Sequence, residues 1–227
     1  MDIILTIVTP KTLEEYENST EFYIINKQRR LLPFELNIIS DNKVGLSTCY
    51  NRVLKHPKNF DKICIFMHDD VSLWDITFSE KLIEAHEKCH IIGLAGGPLK
   101  EKDEKVKSSS WIDLVKKVHG CVYHQKDQTR WATSFGPMPV LVDLVDGLFI
   151  SVLNDQKFRD SEAYFNEKFE FHHYDIAFGL EAKKAGLRSA VIDLVVLHKG
   201  LGDSIQSKEW RDSNKTFAEE YKYDELI

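Results

Sequence analysis

The chain has 227 residues, 43% of them hydrophobic and 29% charged, with a formal net charge of −6. That length supports one sizeable core, the composition is that of a soluble globular protein, and the acidic balance argues against a general nucleic-acid binder, whose footprint is basic. The cysteines at 49, 64, 89 and 121 include no CxxC pair, no apolar run approaches the ~20 residues that span a bilayer, and the chain opens on a strand-like DIILTIV rather than a signal sequence. A zinc knuckle, a disulfide framework and a transmembrane segment are therefore not expected, and the expectation is a soluble cytoplasmic domain with reduced thiols.

Asp2–Val8 reads as a strand from its β-branched content, ended by Thr9-Pro10. Leu13–Gln28 has partly helical spacing, with Asn18-Ser19-Thr20 as an interruption, and predicts one broken helix. Phe34–Ile39 is a second strand, closed by the turn-forming Ser40-Asp41-Asn42. Ser47–Leu54 predicts a helix with Ser47 near its N-cap, stopped by His56-Pro57. Lys62–Met67 is a short buried strand, Ser79–Cys89 an amphipathic helix with Ser79 as cap, and His90–Ala95 another strand, closed by Gly96-Gly97-Pro98. This alternation predicts a mostly parallel sheet with helices on both faces.

The pattern then changes. Lys100–Lys107 is dense in lysine and acids and reads as a solvated loop. Trp111–Val118 predicts a short helix, and 120–140 reads as irregular strands or hairpins. Val140–Leu153 is apolar but broken by Asp143, which is expected to face solvent, and by Asp146-Gly147. Ile176–Ala185 predicts a helix with Gly186 at its end. Ser189–Leu197 reads as a buried strand interrupted by Asp193, and Ser207–Tyr223 as a final helix carrying Trp210, Phe217 and Tyr221.

Candidate chemistry lies where polar residues interrupt or follow strands: Asp41, His68-Asp69-Asp70, Asp146-Gly147, Asp175 and His198. Two carboxylates and an imidazole at a buried strand's end are costly to desolvate without a cation or strong donors, and in open α/β sheets ligands bind at that end. These residue types suit Mg²⁺, and the imidazoles suit Mn²⁺. A strand-end turn whose acids cap the next helix fits the same residues. Asp175 also reads as an N-cap, and His172 and His173 as strand residues with satisfied hydrogen bonds.

The ordered set GLSTCYNRVL, ICIFMHDDVSLWD, LVDGLFI, FEFHHYDIAFGLEAKKAGL and VVLHKGLGD resembles the GT-A glycosyltransferases, in the family-2-like branch that includes the StrF-type domain. The resemblance implies a single GT-A, Rossmann-like α/β domain over 1–227, with a nucleotide-binding half at 1–99 and an acceptor-binding half at 100–227. It implies a metal-dependent, inverting glycosyltransferase that takes a nucleotide-diphosphate sugar, with Mn²⁺ or Mg²⁺ as cofactor. The acceptor would be a glycan, a lipid-linked compound or a small molecule, used in surface polysaccharide or glycan biosynthesis, with the enzyme cytoplasmic or peripheral at the inner face of the membrane.

Position by position, the resemblance places Thr9, Pro10 and Asp41 at the nucleotide. It places His68-Asp69-Asp70 at the DxD motif, with Asp70 on the metal and Asp69 beside the ribose or diphosphate. The chain departs from the common motif in having His68 where the first acid stands. Asp146 and Gly147 would lie by the donor sugar, His198 would complete the metal or diphosphate site, and Asp175 would be the base, kept ionised by the helix dipole. Arg130 and Trp131 are further candidates for acceptor contact. Two alternatives remain: a sugar nucleotidyltransferase, although Thr9–Glu15 lacks the glycine-rich phosphate loop, and a non-catalytic nucleotide-sugar-binding module on the same fold.

Overall fold

The computed structural model describes residues 1–100, 109–200 and 207–221. Most of Lys100–Lys107, the end of the VVLHKGLGD stretch and the last residues of the expected final helix lie outside the described residues.

The first half runs β1 (Ile3–Val8), α1 (Leu13–Glu17), α2 (Thr20–Leu31), β2 (Glu35–Ile39), α3 (Leu46–Lys55), β3 (Ile63–Met67), β4 (Val71–Leu73), α4 (Phe78–His86), β5 (Ile91–Gly93) and β6 (Ala95–Gly97). The second runs α5 (Trp111–Leu114), β7 (His119–Lys126), β8 (Thr129–Phe135), β9 (Val140–Val142), β10 (Leu144–Val145), β11 (Phe149–Leu153), α6 (Gln156–Ser161), α7 (Tyr174–Lys184), β12 (Ser189–Val191), β13 (Val196–His198) and α8 (Lys208–Tyr221).

A seven-stranded sheet has the order β2-β1-β3-β11-β5-β12-β9. Its strands alternate between two apolar layers, because successive side chains leave opposite faces. Ile3, Leu5, Ile7, Ile63, Ile65 and Met67 pack toward α2 and α4 with Ile25, Phe78 and Leu82. Ile4, Val8, Cys64, Phe66, Ile150 and Val152 pack toward α3 and α7 with Tyr50, Leu54 and Phe178. A second sheet follows β10-β6-β7-β13-β4, with β8 along the other edge of β7.

The expectation of a mostly parallel sheet is corrected here. The β1–β2, β1–β3 and β5–β12 pairs are parallel, but β11 is antiparallel to both β3 and β5, and β9 is antiparallel to β12. The physical reason lies in β11, which enters the centre of the sheet from the edge where β3 ends, so Phe149 stands opposite Met67. Residues that precede β11 therefore meet residues that follow β3.

Several local expectations change as well. Gly45 occupies the N-cap of α3; Ser47, near it as expected, is the second helical residue, buried, and its hydroxyl donates to the Phe169 carbonyl at 2.7 Å and not to the helix end. Likewise Thr77 precedes α4, and Ser79 lies inside it. Of the two readings for 120–140, irregular strands or hairpins, the hairpin holds: 119–135 is a regular one, paired from Gly120 with Phe135 to Lys126 with Thr129. His90–Ala95 divides between the two sheets as β5 and β6, and Ser189–Leu197 divides as β12 and β13. Asp143 does not face solvent freely: its carboxylate meets Lys183 Nζ at 2.8 Å and accepts from the Leu99 N–H. All four cysteines are free thiols. Among the described residues no helix is long and apolar enough to cross a membrane.

Candidate active site

Polar residues gather along the edge where β1, β2 and β3 end and β11 begins. At one end Thr9 is buried, and its hydroxyl donates to Asp69 Oδ2 at 2.5 Å. Lys11 Nζ lies 3.0 Å from the same oxygen. The backbone ties these loops together: the Asp41 N–H donates to the Lys11 carbonyl at 2.8 Å and the Asn42 N–H to the Thr9 carbonyl at 3.0 Å. Asp41 takes a left-handed conformation, φ +50°, which aspartate tolerates better than most residues. Thr9, Pro10, Asp41 and Asp69 thus form one group, with Pro10 and Asp41 exposed.

Beside them opens a pocket of about 590 Å³ lined by His68, Asp70, Asp146, Gly147, Asp175 and His198, among others. Topology brings Asp70 and His198 together: β13 lies between β4 and β7, and His198 stands opposite Val71 and His124. His198 Nε2 is 3.2 Å from Asp70 Oδ2. Burial works against the Asp70 carboxylate, but the hydrogen bond and charge of His198, with His68, outweigh it and hold the carboxyl below its usual range. Gly200 keeps this corner open, since a Cβ there would come within 2.6 Å of Asp70 Oδ2 and 2.8 Å of His198 Nε2.

Asp70 Oδ1 is buried and has no hydrogen-bond partner among the described residues. An orphaned carboxylate oxygen beside an imidazole fits a hard divalent cation. No group of three or more His, Cys, Asp or Glu among the described residues is arranged to hold one. The pair therefore fits a cation that takes its other ligands from water and phosphate oxygens, as Mg²⁺ commonly does.

On the adjoining wall, a hydrogen-bonded chain joins three elements. The Tyr174 hydroxyl donates to the Gly147 carbonyl at 2.8 Å, so at 2.8 Å it accepts from His68 Nε2–H. Burial pushes the His68 imidazole down, which keeps it neutral, and this bond fixes its proton on Nε2. Asp175 Oδ2 accepts from the Gly147 N–H and Oδ1 from the Ile176 N–H, each at 2.9 Å. Each oxygen retains a second lone pair.

The helix-dipole expectation for Asp175 is overturned. Burial first, and then the Asp146 charge, raises its carboxyl to about 7, and the two backbone donors offset only part of that. Asp175 is not an N-cap either. His173 holds that position, with φ +63°, and lies in a turn rather than a strand. Its Nδ1 pairs with Ser213 Oγ at 2.9 Å and its Nε2 with Ser109 Oγ at 2.6 Å, which docks α8 beside the pocket.

The structure thus unites His68, Asp70, Asp146, Gly147, Asp175 and His198 in the pocket and sets Thr9, Pro10, Asp41 and Asp69 alongside. It adds residues that sequence reading missed. Tyr174 adjoins Asp175, but its partner His68 lies 106 residues away, and no spacing signals that contact. Reading 119–135 as a regular hairpin would have placed His124, Thr133 and Phe135 on the face that lines the pocket. Trp131 shares that face and stacks on His124 with ring centroids 5.3 Å apart.

By architecture this is an α/β protein with a pocket at the edge where its parallel strands end, the place where ligands bind in open α/β sheets. The chain belongs to the glycosyltransferase-like family, which it matches over residues 24–226. That agrees with the resemblance carried by its five motifs. No curated protein matches it. Among solved structures it is similar to A197 from STIV, with 13% identity, 85% of this chain and 82% of that chain covered, and a TM-score of 0.48. It is similar to S. aureus TarS 1–349, with 11% identity, 88% and 60% covered, and a TM-score of 0.45. It is also similar to HddC from Yersinia pseudotuberculosis, with 12% identity, 96% and 100% covered, and a TM-score of 0.35.

Proposed function

We propose that this glycosyltransferase moves a sugar from a nucleotide-diphosphate donor to an acceptor hydroxyl, with inversion at the anomeric carbon and with Mn²⁺ or Mg²⁺ bound. The observation that carries the reading is the convergence of the Asp70–His198 pair and Asp175 on one pocket. The described lining residues include no lysine or arginine, so a donor diphosphate there needs a cation to offset Asp70 and Asp146.

Thr9, Pro10, Asp41 and Asp69 hold the nucleoside end, with the Thr9–Asp69 bond fixing the strand-end loops. Asp70 and His198 would hold the metal, which when bound neutralises charge on the departing diphosphate. Asp146 and Gly147 lie by the donor sugar. Gly147 leaves room that a Cβ would deny, since that atom would overlap the Tyr174 hydroxyl. His68 acts through Tyr174 as a positioning residue.

Asp175 takes the acceptor proton as the new C–O bond forms and the bond to the nucleoside diphosphate breaks. A carboxyl with a pKa near 7 suits a base working near neutrality. On this reading residues 1–99 serve mainly the nucleotide and 100–227 mainly the sugar and acceptor, in the cytoplasm or at the inner face of its membrane.

Transfer and donor hydrolysis assays on two variants test the proposal. Asp70→Ala is expected to lose both donor hydrolysis and metal-dependent donor binding. Asp175→Asn is expected to retain donor binding and lose turnover by about 10²–10⁴-fold. Near-normal turnover in Asp175→Asn would refute the assignment of the base.

A further inference from the structure

Resting on that reading, we infer that the acceptor is an uncharged sugar ring that docks against Phe135 and Phe171, and not a sugar carrying its own phosphate. Both phenyl rings line the pocket, yet they are 47% and 49% exposed. Phe171 lies nearly parallel to the His68 ring, at 20° with centroids 6.1 Å apart. The His172 ring meets it edge-to-face, with centroids 5.3 Å apart, and about half of the phenyl ring stays exposed to the pocket. Phe135 stands on the hairpin face that also carries Thr133 and His124.

Asp70, Asp146 and Asp175 contribute carboxylates, and the described lining residues contribute no lysine or arginine. A phosphate on the acceptor would meet three carboxylates and no lysine or arginine among the described lining residues, and the cation expected at Asp70 is matched to the donor diphosphate.

A neutral sugar ring matches both kinds of surface. Its hydroxyls donate to carboxylates such as Asp146 and Asp175, and its C–H face lies on an aromatic ring. A plain acyl chain would leave the carboxylates unpaired, at a cost in desolvation.

Ligand-observed NMR on the full chain, with Mg²⁺ and UDP, GDP or dTDP present in turn, tests this directly. The probes are p-nitrophenyl glycosides of glucose, galactose, mannose and N-acetylglucosamine, alongside the 1-phosphates of the same sugars. At least one glycoside is expected to bind, with each 1-phosphate at least about tenfold weaker. Phe135→Ala and Phe171→Ala are each expected to weaken the glycoside by about tenfold, while Phe135→Tyr retains it. Both rings are half-exposed, so their loss leaves no buried cavity. Equal or tighter binding of a 1-phosphate, unchanged binding in both alanine variants, or no glycoside bound by a chain that still binds nucleotide would overturn the inference alone. Failure to bind any of the three nucleotides would overturn the nucleotide-diphosphate-sugar reading, and this inference with it.

Discussion

Asp175 carries opposing demands in one carboxyl. Its backbone donors hold it in place, while burial and Asp146 raise its carboxyl from an ordinary 3.8 to about 7. Between roughly pH 4 and 7 the native state retains a proton that the unfolded chain has released, so stability falls as pH rises through that window. Urea denaturation from pH 5 to 8 is therefore expected to show a declining unfolding free energy in the wild type and a flatter profile in Asp175→Asn. On the activity side, kcat/KM is expected to rise with pH through about 7, because only the ionised base accepts the acceptor proton; a flat profile from 5 to 8 would oppose that role. Tyr174 gives a second residue-scale expectation. Tyr174→Phe leaves His68 Nε2–H and the Gly147 carbonyl without their partner, for a loss of about 1–3 kcal/mol in urea titrations. The acids at 70 and 175 were legible in the sequence because each stands beside an apolar run. The bridge through Tyr174 was not, since a tyrosine after two histidines carries no periodic signal.

At the scale of elements, β11 decides where the site forms. A parallel β11 would carry Asp146 and Gly147 to the far edge of the sheet; the antiparallel one delivers them beside His68, whose N–H donates to the Leu148 carbonyl at 3.2 Å. Its apolar FISVL marks a buried strand in either direction, so the sequence revealed the strand but not its sense. The same limit applies to Ser47 and Ser79, where local capping preference lost to burial and to a tertiary carbonyl. The start of α7 is tied to the middle of α8 through His173 and Ser213, and Phe217 anchors α8 there, fully buried against Phe169 and His173. Phe217→Ala is expected to cost about 3–5 kcal/mol and to weaken pocket binding as α8 loosens, measured by thermal melting with and without ligand. A change under about 1 kcal/mol would mean that α8 is not anchored by this ring.

Over the whole molecule, two apolar layers enclose a mixed sheet and leave the carboxylates of the pocket at one edge. The alternating order of the first hundred residues made the α/β class readable, and the cysteine spacing made free thiols readable. Neither pattern encodes which strands of the second half join which sheet, because segments as short as Ala95–Gly97 and Val196–His198 carry too little periodicity to specify their pairing partners. Charge acts at this scale too. With net charge −6 and an acid-lined pocket, nucleotide binding is expected to depend steeply on a divalent cation. A thermal-shift titration of UDP-, GDP-, CMP- and dTDP-linked sugars, with and without Mn²⁺, on wild type and Asp70→Ala is the most direct measurement. A stabilisation by one diphosphate-linked sugar that requires Mn²⁺ and disappears in Asp70→Ala is the predicted result. No shift with any donor, or a shift that persists without Mn²⁺ and in Asp70→Ala, would contradict metal-dependent use of a nucleotide sugar.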